Sequence, residues 1–321
     1  MVDGTGAAGS TRVRGGAVAV VGSLNLDHTV RVARLARPGE SLVGDLVSTA
    51  PGGKGANQAV AAARLGARAA LIGCLGTDAA GDVLWQALTA EPRLDVAGVT
   101  RVHGPTGTAF VTIDDAGANT VVSARGANAS LDEAHVHRHG RSIADADVVL
   151  LTLGVPEDAV RAAVEIARSV DTLVVLDPAP ADEVPDDVLR CVDVCTPNET
   201  EIERLTGLAA GDDAGVRRAA DALLARGCGA VVVTLGARGA HLVTADGRAR
   251  RYAPVPVSVV DPTGAGDACA GALAAALARG LAIEDAVADA VVAGALATTR
   301  LGALMAMPTR AELDACGGRP G

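Results

Sequence analysis

The chain has 321 residues and 49% of them are hydrophobic, enough for one large α/β domain with a small appendage, or for two domains. Its formal net charge is −10 and it has no basic run, which argues against nucleic acid and anionic membrane surfaces as partners. With one Trp, one Tyr and one Phe, it also has few rings on which bases could stack. Six scattered cysteines without a C-x-x-C pair, no secretory leader and no run able to span a membrane predict a cytoplasmic protein with reduced thiols.

The first half of the chain mixes helical and β-rich stretches. Residues 1–16 are rich in Gly, Ala and Ser and have no apolar segment, so we interpret them as a disordered N-terminal tail. Two β-rich stretches, at about 28–51 and 106–123, interrupt the helix–strand pattern. We expect them to pair as a small sheet, a lid that stands off the main body. Strands are predicted at 17–23 and 69–75, and helices at 59–65 and 79–90.

From residue 131 onward, apolar strands alternate with helices. The predicted strands are 148–153, 173–176, 192–196, 230–235 and 257–260. The predicted helices are 157–168, 199–205, 214–226, 268–279, 284–300 and 309–315. This alternation indicates an α/β fold in which a mainly parallel sheet is covered by helices on both faces. Residues 17–321 would then form one domain that carries the lid.

The stretch Asp261-Pro262-Thr263-Gly264-Ala265-Gly266-Asp267 leads from a predicted strand through a tight turn into a helix. Its glycines let backbone N–H groups point outward, and the helix adds the positive end of its dipole, which together suit a phosphate. A carboxylate at Asp267 would repel such an anion, unless it faces a neutral hydroxyl and accepts its proton during attack on phosphorus. The structural alternative is an Asp that caps the helix.

Polar residues also follow several other predicted strands, and ligands of such sheets bind at the carboxyl ends of the strands. These residues are Asn25 and Asp27, the run from Asp177 to Pro180, the run from Thr196 to Glu201, and Thr234 to Gly236. Asn198 and Glu201 are three residues apart at a helix start, a spacing that suits Mg²⁺ held through waters and substrate phosphates. The alternative for this pair is a helix cap with a first-turn carboxylate.

Two motifs, in this order and with the βα pattern between them, carry a resemblance to a known family. The first is Gly52-Gly53-Lys54-Gly55-Ala56-Asn57-Gln58, and the second is the Asp261–Asp267 stretch. Over roughly residues 17 to 315 the chain resembles the ribokinase family of carbohydrate kinases (PfkB type).

The resemblance implies roles at the matching positions. Asp267 would be the catalytic base, and the backbone N–H groups of Gly264, Ala265 and Gly266 would form the anion hole for the transferred phosphoryl group. The sugar would be bound by Asn25, Asp27, Gly53, Lys54, Asn57 and Asp267, with Ala109 and Val111 of the lid facing it. Asn198 and Glu201 would bind Mg²⁺ and the nucleotide phosphates. The ATP site would be lined by Asn198, Thr234, Gly236 and Gly266.

The resemblance further implies an activating K⁺ beside the anion hole and a homodimer formed through the lid. The K⁺ ligands would be Asp261, Thr263, Ala297, Arg300 and Gly302. Three positions depart from the family pattern. Gly154 stands where a sugar-contacting Glu is typical, Ala306 replaces a Ser near the cation, and Cys269 replaces a Phe.

The leading hypothesis is an ATP-dependent kinase that phosphorylates the primary hydroxyl of a pentose, D-ribose at its 5-hydroxyl. Kinases of deoxyribose, fructose or a nucleoside remain alternatives within the class, although the scarcity of aromatic residues argues against a nucleoside. A non-catalytic sugar-sensing protein on the same fold is the alternative from another class. The presence of Asp267 and of the glycine turn argues against that alternative.

Overall fold

The computed structural model describes residues 15–116, 118–180 and 183–317. Within these ranges the strands are β1 (Ala17–Val21), β2 (Asn25–Val32), β3 (Asp45–Gly52), β4 (Arg68–Gly76), β5 (Leu94–Val102), β6 (Gly107–Asp114), β7 (Asn119–Ala124), β8 (Val148–Thr152), β9 (Leu173–Asp177), β10 (Val194–Cys195), β11 (Ala230–Thr234), β12 (Ala240–Thr244) and β13 (Ala249–Tyr252). The α-helices are α1 (Lys54–Arg64), α2 (Ala79–Thr89), α3 (Glu133–Arg138), α4 (Gly140–Ala144), α5 (Glu157–Ser169), α6 (Asp186–Leu189), α7 (Glu199–Thr206), α8 (Asp213–Ala225), α9 (Ala265–Ala278), α10 (Ile283–Ala297) and α11 (Arg310–Ala315). Short 3-10 helices span Gly126–Ser130, Gly236–Arg238 and Leu304–Ala306. Most of the predicted disordered tail, residues 1–14, lies outside the described residues.

A nine-stranded sheet forms the centre of the molecule, in the order β13-β12-β11-β10-β9-β8-β1-β4-β5. From β11 to β5 neighbouring strands are parallel, while β12 and β13 join antiparallel at one edge. Apolar side chains are buried on both faces, and consecutive residues of a strand point to opposite faces. Val18 and Val20 of β1 belong to the core layer that includes residues of α1, α9 and α10, whereas Ala19 and Val21 belong to the layer that includes residues of α5 and α8. The predicted mainly parallel sheet with helices on both faces is therefore confirmed.

A second, four-stranded sheet has the order β3-β2-β6-β7 and combines the two β-rich stretches. β2 pairs antiparallel with β3 and parallel with β6, so that Asp27 lies between Ala50 and Ala109. The expectation that the two stretches pair with each other is confirmed. Because β2 begins only four residues after β1 ends, this small sheet rises directly from the carboxyl ends of the central strands.

The prediction of a strand at 257–260 is wrong. This segment has no regular secondary structure and pairs with no strand among the described residues, and Val259 and Val260 are 63% and 57% exposed. Pro254 and Pro256 lack the N–H that a ladder needs, so the chain leaves the sheet after β13. The N–H of Val260 donates instead to the carbonyl of Thr298, at 2.8 Å. The apolar run thus connects β13 to the Gly-Ala-Gly turn without joining the sheet.

Two helices begin earlier than predicted, and both shifts concern the predicted site. α1 begins at Lys54, not at residue 59, so Lys54, Asn57 and Gln58 occupy its first turns and share one face. α9 begins at Ala265 with Gly264 as its N-cap residue. Asp267 is therefore the third helical residue and does not cap the helix.

Candidate active site

The start of α1 lies against the end of β1, because glycines on both elements allow their backbones to touch. A Cβ built on Gly22 would stand 2.8 Å from the Cα of Gly55. Gly53 has φ of 91°, a conformation that other residues rarely adopt, and a Cβ there would stand 2.5 Å from the backbone nitrogen of Asn25. The Gly-Gly-Lys-Gly sequence therefore places the polar first turn of α1 at the carboxyl edge of the sheet.

The helix α9 packs closely along α1, which brings the second motif to the first. Ten of the 14 residues of α9 are Ala or Gly, and most of the helix is buried. A Cβ built on Gly271 would stand 2.6 Å from the Cβ of Ala61, so this glycine sets how closely the two helices approach. The carboxylate at the start of α9 consequently faces the amides at the start of α1.

Asp267 is 6% exposed and is held by side chains of α1. Its Oδ2 accepts a hydrogen bond from Asn57 Nδ2 at 2.8 Å, and its Oδ1 accepts one from Gln58 Nε2 at 3.1 Å. Lys54 Nζ lies 3.7 Å from Oδ1. Two amides and an ammonium thus fix the orientation of the carboxylate, as a positioned proton acceptor requires.

Lys54 lies between carboxylates, with its Nζ 3.3 Å from Asp177 Oδ2. Burial lowers the pKa of the Lys54 ammonium, but the surrounding carboxylates outweigh burial and raise that pKa above its ordinary value. Those carboxylates belong to Asp177, Asp267 and Glu201. The lysine is therefore a permanent cation beside the catalytic carboxylate predicted at Asp267.

Asp27 lies on the face of the small sheet that Ala109 shares. The strand register pairs Asp27 with Ala109, and Val111, two residues further along β6, also points to this face. Asp27 Oδ1 is buried and accepts no hydrogen bond from the described residues. Burial raises the pKa of Asp27 to about 7, and the Asp267 carboxylate adds to the rise. The structure thus brings three predicted sugar-binding residues to one face, with an unpaired acceptor among them.

The Gly-Ala-Gly turn gives the anion hole only part of the donors predicted. Gly264 has φ of 80°, and a Cβ there would stand 2.9 Å from Met307 Cε. The N–H of Ala265 already donates to the carbonyl of Pro262 at 3.3 Å, whereas those of Gly264 and Gly266 donate to no carbonyl of the described residues. The N–H groups best placed for an anion are therefore those of the two glycines.

A cavity of about 630 Å³ adjoins this turn, between the end of β11 and the helices α9 and α10. Its lining includes Thr234, Gly236 and Gly266, which the resemblance assigns to an ATP site, together with Cys269. Asn198 forms a parallel bridge with Thr234, so it stands at the same strand end. A cavity of about 560 Å³ lies at the opposite ends of β1 and β4 and contains none of the predicted site residues.

Asn198 and Glu201 form a capping box at the start of α7. Asn198 Oδ1 accepts from the Glu201 N–H at 2.8 Å, and Glu201 Oε2 accepts from the Asn198 N–H at 2.8 Å. The structural alternative for this pair is therefore present. Glu201 Oε1 accepts no hydrogen bond from the described residues, and burial followed by the charge of Asp177 raises the pKa of Glu201. One oxygen thus remains for a hydrated Mg²⁺, which fits a metal held mostly by waters and phosphates.

Asp261 joins the predicted K⁺ segments to each other. Its Oδ1 accepts from the Thr263 N–H at 3.0 Å and its Oδ2 from the Gly302 N–H at 2.9 Å. Ala297 ends α10, where the last carbonyls lack helical partners, and Arg300 follows in the connection to Gly302. These carbonyls suit a monovalent cation. The Thr298 carbonyl, however, already accepts two N–H bonds, from Val260 and Asp261.

The sequence interpretation assigned no specific role to two residues of the site. Gln58 Nε2 bridges two carboxylates, donating to Asp177 Oδ2 at 2.6 Å and to Asp267 Oδ1 at 3.1 Å. Asp177 ends β9 and also approaches Lys54. Their positions in the first motif and at a strand end were visible in the sequence. The contact between them joins residues 119 apart and required the fold.

Gly154 borders Ser23 at the end of β1. A Cβ built on Gly154 would stand 2.9 Å from Ser23 Oγ and 3.1 Å from Ser23 Cβ. Its φ does not lie in the left-handed region, so a larger residue meets the Ser23 side chain rather than backbone strain. Ala306 is buried in the 3-10 helix of the segment that packs on Gly264.

Within the described part of the chain, no helix is long and apolar enough to cross a membrane. The same residues contain no cluster of three or more His, Cys, Asp or Glu side chains arranged to hold a metal ion.

Comparison with known proteins agrees with this geometry. Residues 16–310 match the pfkB family carbohydrate kinases. The chain is 38% identical over 294 residues to ribokinase from Haemophilus influenzae, covering 91% of this chain and 95% of that one. The structure of Arabidopsis thaliana ribokinase complexed with ribose and ATP superposes with a TM-score of 0.86 at 31% identity, covering 94% of this chain and 98% of that one. A putative ribokinase II from E. coli in complex with ATP and Mg²⁺ superposes with a TM-score of 0.77 at 25% identity, covering 94% and 98%. The chain belongs to the pfkB family of carbohydrate kinases.

Proposed function

We propose that this chain transfers the γ-phosphoryl group of ATP to the 5-hydroxyl of D-ribose. The observation that carries the proposal is the arrangement around Asp267. A buried carboxylate, oriented by Asn57 and Gln58 of α1, stands on the first turn of a helix whose glycine turn offers free N–H groups. The family and the ribokinases among the relatives support the sugar and the nucleotide.

The sugar would lie between the small sheet and the first turn of α1. Asn25, Asp27, Lys54 and Asn57 offer amide, carboxylate and ammonium groups for its hydroxyls, beside the backbone of Gly53. Asn57 Oδ1 and Asp27 Oδ1 are buried acceptors without a partner among the described residues, and a hydroxyl donor would satisfy each. Ala109 and Val111 supply the apolar surface on which the ring would rest, so the small sheet acts as a lid.

In the reaction, the 5-hydroxyl gives its proton to Asp267 and its oxygen forms a bond to the γ-phosphorus, while the bond from that phosphorus to the β–γ bridging oxygen breaks. The N–H groups of Gly264 and Gly266, with that of Ala265 once its long bond to Pro262 is released, stabilise the negative charge on the phosphoryl oxygens. In a loose transition state the hydroxyl proton is transferred late, after much of the bond to the leaving group has broken.

ATP would occupy the cavity beside this turn, with its triphosphate directed toward Gly266 and Asn198. The family implies Mg²⁺ with ATP. We assign Glu201 and Asn198 to the Mg²⁺ through water. When bound, the metal neutralises phosphate charge. Thr234 and Gly236 line the same cavity.

A K⁺ ion would be held by Asp261 and by carbonyls of Thr263, Ala297, Arg300 and Gly302. Asp261 already ties the turn before α9 to the segment after α10 through two hydrogen bonds. A cation among these carbonyls would stiffen the same link and so fix the anion hole. The replacement of Ser by Ala306 removes no ligand of this set.

A homodimer formed through the small sheet and a cytoplasmic location complete the proposal. The register places His28, Phe110 and Val122 side by side on the sheet face opposite Asp27. Phe110 is 52% and Val122 67% exposed, an apolar surface that a second copy would cover. All six cysteines are free thiols, which fits a reducing compartment.

The test is ADP release measured in a coupled assay with ribose, 2-deoxyribose, fructose and adenosine, in K⁺ and in a bulky organic cation at matched ionic strength. We expect the highest kcat/KM for ribose and a higher rate in K⁺. A tenfold preference for fructose or adenosine, about 1.4 kcal/mol in transition-state binding, would overturn the ribose assignment. Equal rates in the two cations would remove K⁺ from the proposal, and no turnover with any sugar would favour a sensing protein.

A further inference from the structure

Asn128 is a buried amide at the root of the small sheet. It lies in the 3-10 helix Gly126–Ser130, just after β7, and is 2% exposed. Its Oδ1 accepts from the Leu24 N–H at 2.8 Å. Its Nδ2 donates to the Leu24 carbonyl at 3.1 Å and to Asn25 Oδ1 at 2.9 Å. The Asn128 side chain therefore links the segment that follows β7 to the start of β2.

The backbone of Leu24 fixes which way each amide in this chain of bonds points. A backbone N–H can only donate and a carbonyl can only accept, so Asn128 must turn its oxygen to the first and its NH₂ to the second. The other hydrogen of that NH₂ meets Asn25, which must present its oxygen. The NH₂ group of Asn25 is therefore left as the donor that faces away from Asn128.

We propose that Asn128 is a positioning residue for sugar binding, because it fixes the Asn25 amide with its NH₂ toward the sugar. The proposal rests on the proposed function, in which Asn25 and Asp27 bind the sugar. The two residues are neighbours on one face of β2, and Asp27 offers an unpaired acceptor oxygen. A hydroxyl carries one hydrogen, so it can donate to Asp27 and accept from Asn25 at the same time only if Asn25 presents NH₂.

Gly107 supports this assignment from the adjacent strand. It begins β6 and pairs with Asn25 in the sheet register. A Cβ built on Gly107 would collide with Asn128 Nδ2 and with Asn25 Oδ1, and it would stand 2.7 Å from the carbonyl oxygen of Leu24. Its φ is not in the left-handed region, so backbone conformation does not demand glycine there. The space over Gly107 is needed for the bond between the two amides.

The main test is Asn128→Asp. An aspartate keeps an acceptor for the Leu24 N–H but presents an oxygen to Asn25, so the Asn25 amide must turn and bring its own oxygen to the sugar beside Asp27. We expect KM for ribose to rise about tenfold or more, while kcat changes less than about threefold and KM for ATP less than about twofold. Gly107→Ala should raise KM for ribose in the same direction and serves if the aspartate variant fails to fold.

A double-mutant cycle separates positioning from general loss of stability. In an Asn25→Ala background, Asn128→Asp should change KM for ribose by less than about twofold, because the group through which it acts is gone. Thr172→Val is the matched control: Thr172 is also buried, donates to the Ala146 carbonyl at 3.1 Å and lies at the opposite end of the strands. It should lower thermal stability and leave KM for ribose unchanged.

The outcomes are distinct. If wild-type protein phosphorylates ribose but the effects of Asn128→Asp and Asn25→Ala on KM multiply in the double variant, the positioning role is wrong. It is also wrong if Thr172→Val raises KM as much as Asn128→Asp does. If wild-type protein does not phosphorylate ribose at all, the proposed function fails first, and this inference fails with it.

Discussion

Asp27 carries a carboxyl whose pKa is raised to about 7 by burial and then by the charge of Asp267. Between the ordinary value of 3.8 and 7, the folded protein holds a proton that the unfolded chain has released. The free energy of unfolding must therefore fall as pH rises through this window, and the contribution is complete below about pH 4. In the absence of sugar, ionisation of Asp27 near neutral pH therefore lowers the stability of the folded protein.

We predict that Asp27→Asn gains stability relative to wild type as pH rises from 4 to 7, by about 2–4 kcal/mol over the whole window. Urea unfolding of both proteins at several pH values without sugar measures this difference. Asp115→Asn, an exposed carboxylate on the β6–β7 turn, is the control for the loss of one negative charge. A constant difference between the Asp27→Asn variant and wild type from pH 4 to 7 would show that Asp27 ionises like a solvent-exposed carboxyl.

Gly154 is a position at which a carboxylate can be added beside Ser23. A carboxylate at this position would add an acceptor for a sugar hydroxyl. The Ser23 hydroxyl can rotate away from the new side chain, and Ser23 Cβ, 3.1 Å from the new Cβ, must shift slightly. We expect Gly154→Glu to lower KM for ribose about tenfold, with a smaller change in kcat. Gly154→Ala carries the same Cβ, 2.9 Å from Ser23 Oγ, without the carboxylate and controls for crowding. Equal KM values for the two variants would remove Gly154 from the sugar site.

Residue types and spacing in the sequence predict most of the residues that the fold brings together in the candidate site. Asp267, Lys54 and Asn57 all occur in glycine-flanked motifs, and glycines reveal where backbones must turn or touch. Gln58 and Asn128 received no role, because their importance lies in hydrogen bonds to residues far along the chain. Such contacts depend on strand order and helix packing, which no local pattern encodes.

The pairing of α1 with α9 is the element that holds the two motifs together. Periodicity predicted both helices, but it placed their starts at residues 59 and 268. Glycine-rich first turns have low helix propensity, and here close backbone packing outweighs it. The β-branched residues of the apolar segment 257–260 predict a strand, because such residues favour strands. The prolines upstream prevent this segment from pairing with the edge of the sheet.

We predict that Gly271→Ala weakens the structure and the reaction together. The new methyl group would stand 2.6 Å from Ala61 Cβ and would force α9 away from α1. Overpacking of this kind costs about 1–3 kcal/mol, more than the helix propensity gained by replacing glycine. The free energy of unfolding, measured with urea, and kcat for ribose should both decrease, since Asp267 would move away from Asn57.

Gly211→Ala is the control, because a Cβ there meets no atom within 4 Å and the backbone φ is ordinary. It should change neither stability nor kcat measurably. If Gly271→Ala were as stable and as active as the control variant, close packing of α1 on α9 would not be what aligns the site.

The small sheet has one face turned to the site and one turned outward. Asp27, Ala109 and Val111 share the inner face, while Phe110 and Val122 leave an apolar outer face. The sequence predicts that the two β-rich stretches pair, but the parallel pairing of β2 with β6 emerges only from the fold.

We predict that Phe110→Lys converts a dimer into a monomer. The lysine would place a charge in the centre of the apolar face, which a second copy could cover only at a high desolvation cost. Light scattering after gel filtration should give about twice the chain mass of 31.8 kDa for wild type and about one chain mass for the variant.

Val170→Lys changes an exposed apolar residue at the end of α5 and should leave the mass of the assembly unchanged. A wild-type protein that is already monomeric at micromolar concentration would contradict the dimer. A Phe110→Lys protein that stays dimeric would place the contact on another surface.

The most direct measurement is the turnover of Asp267→Asn with ribose and ATP, together with the position of the phosphate in the wild-type product by NMR. We predict ribose 5-phosphate in a one-to-one ratio with ADP for wild type. The variant keeps the shape of the side chain but loses the proton acceptor, so its kcat should fall by about three orders of magnitude or more while ATP affinity stays nearly unchanged. A variant that retains more than about a tenth of wild-type turnover would contradict the assignment of Asp267 as the base, and a phosphate on another hydroxyl would contradict the proposed reaction.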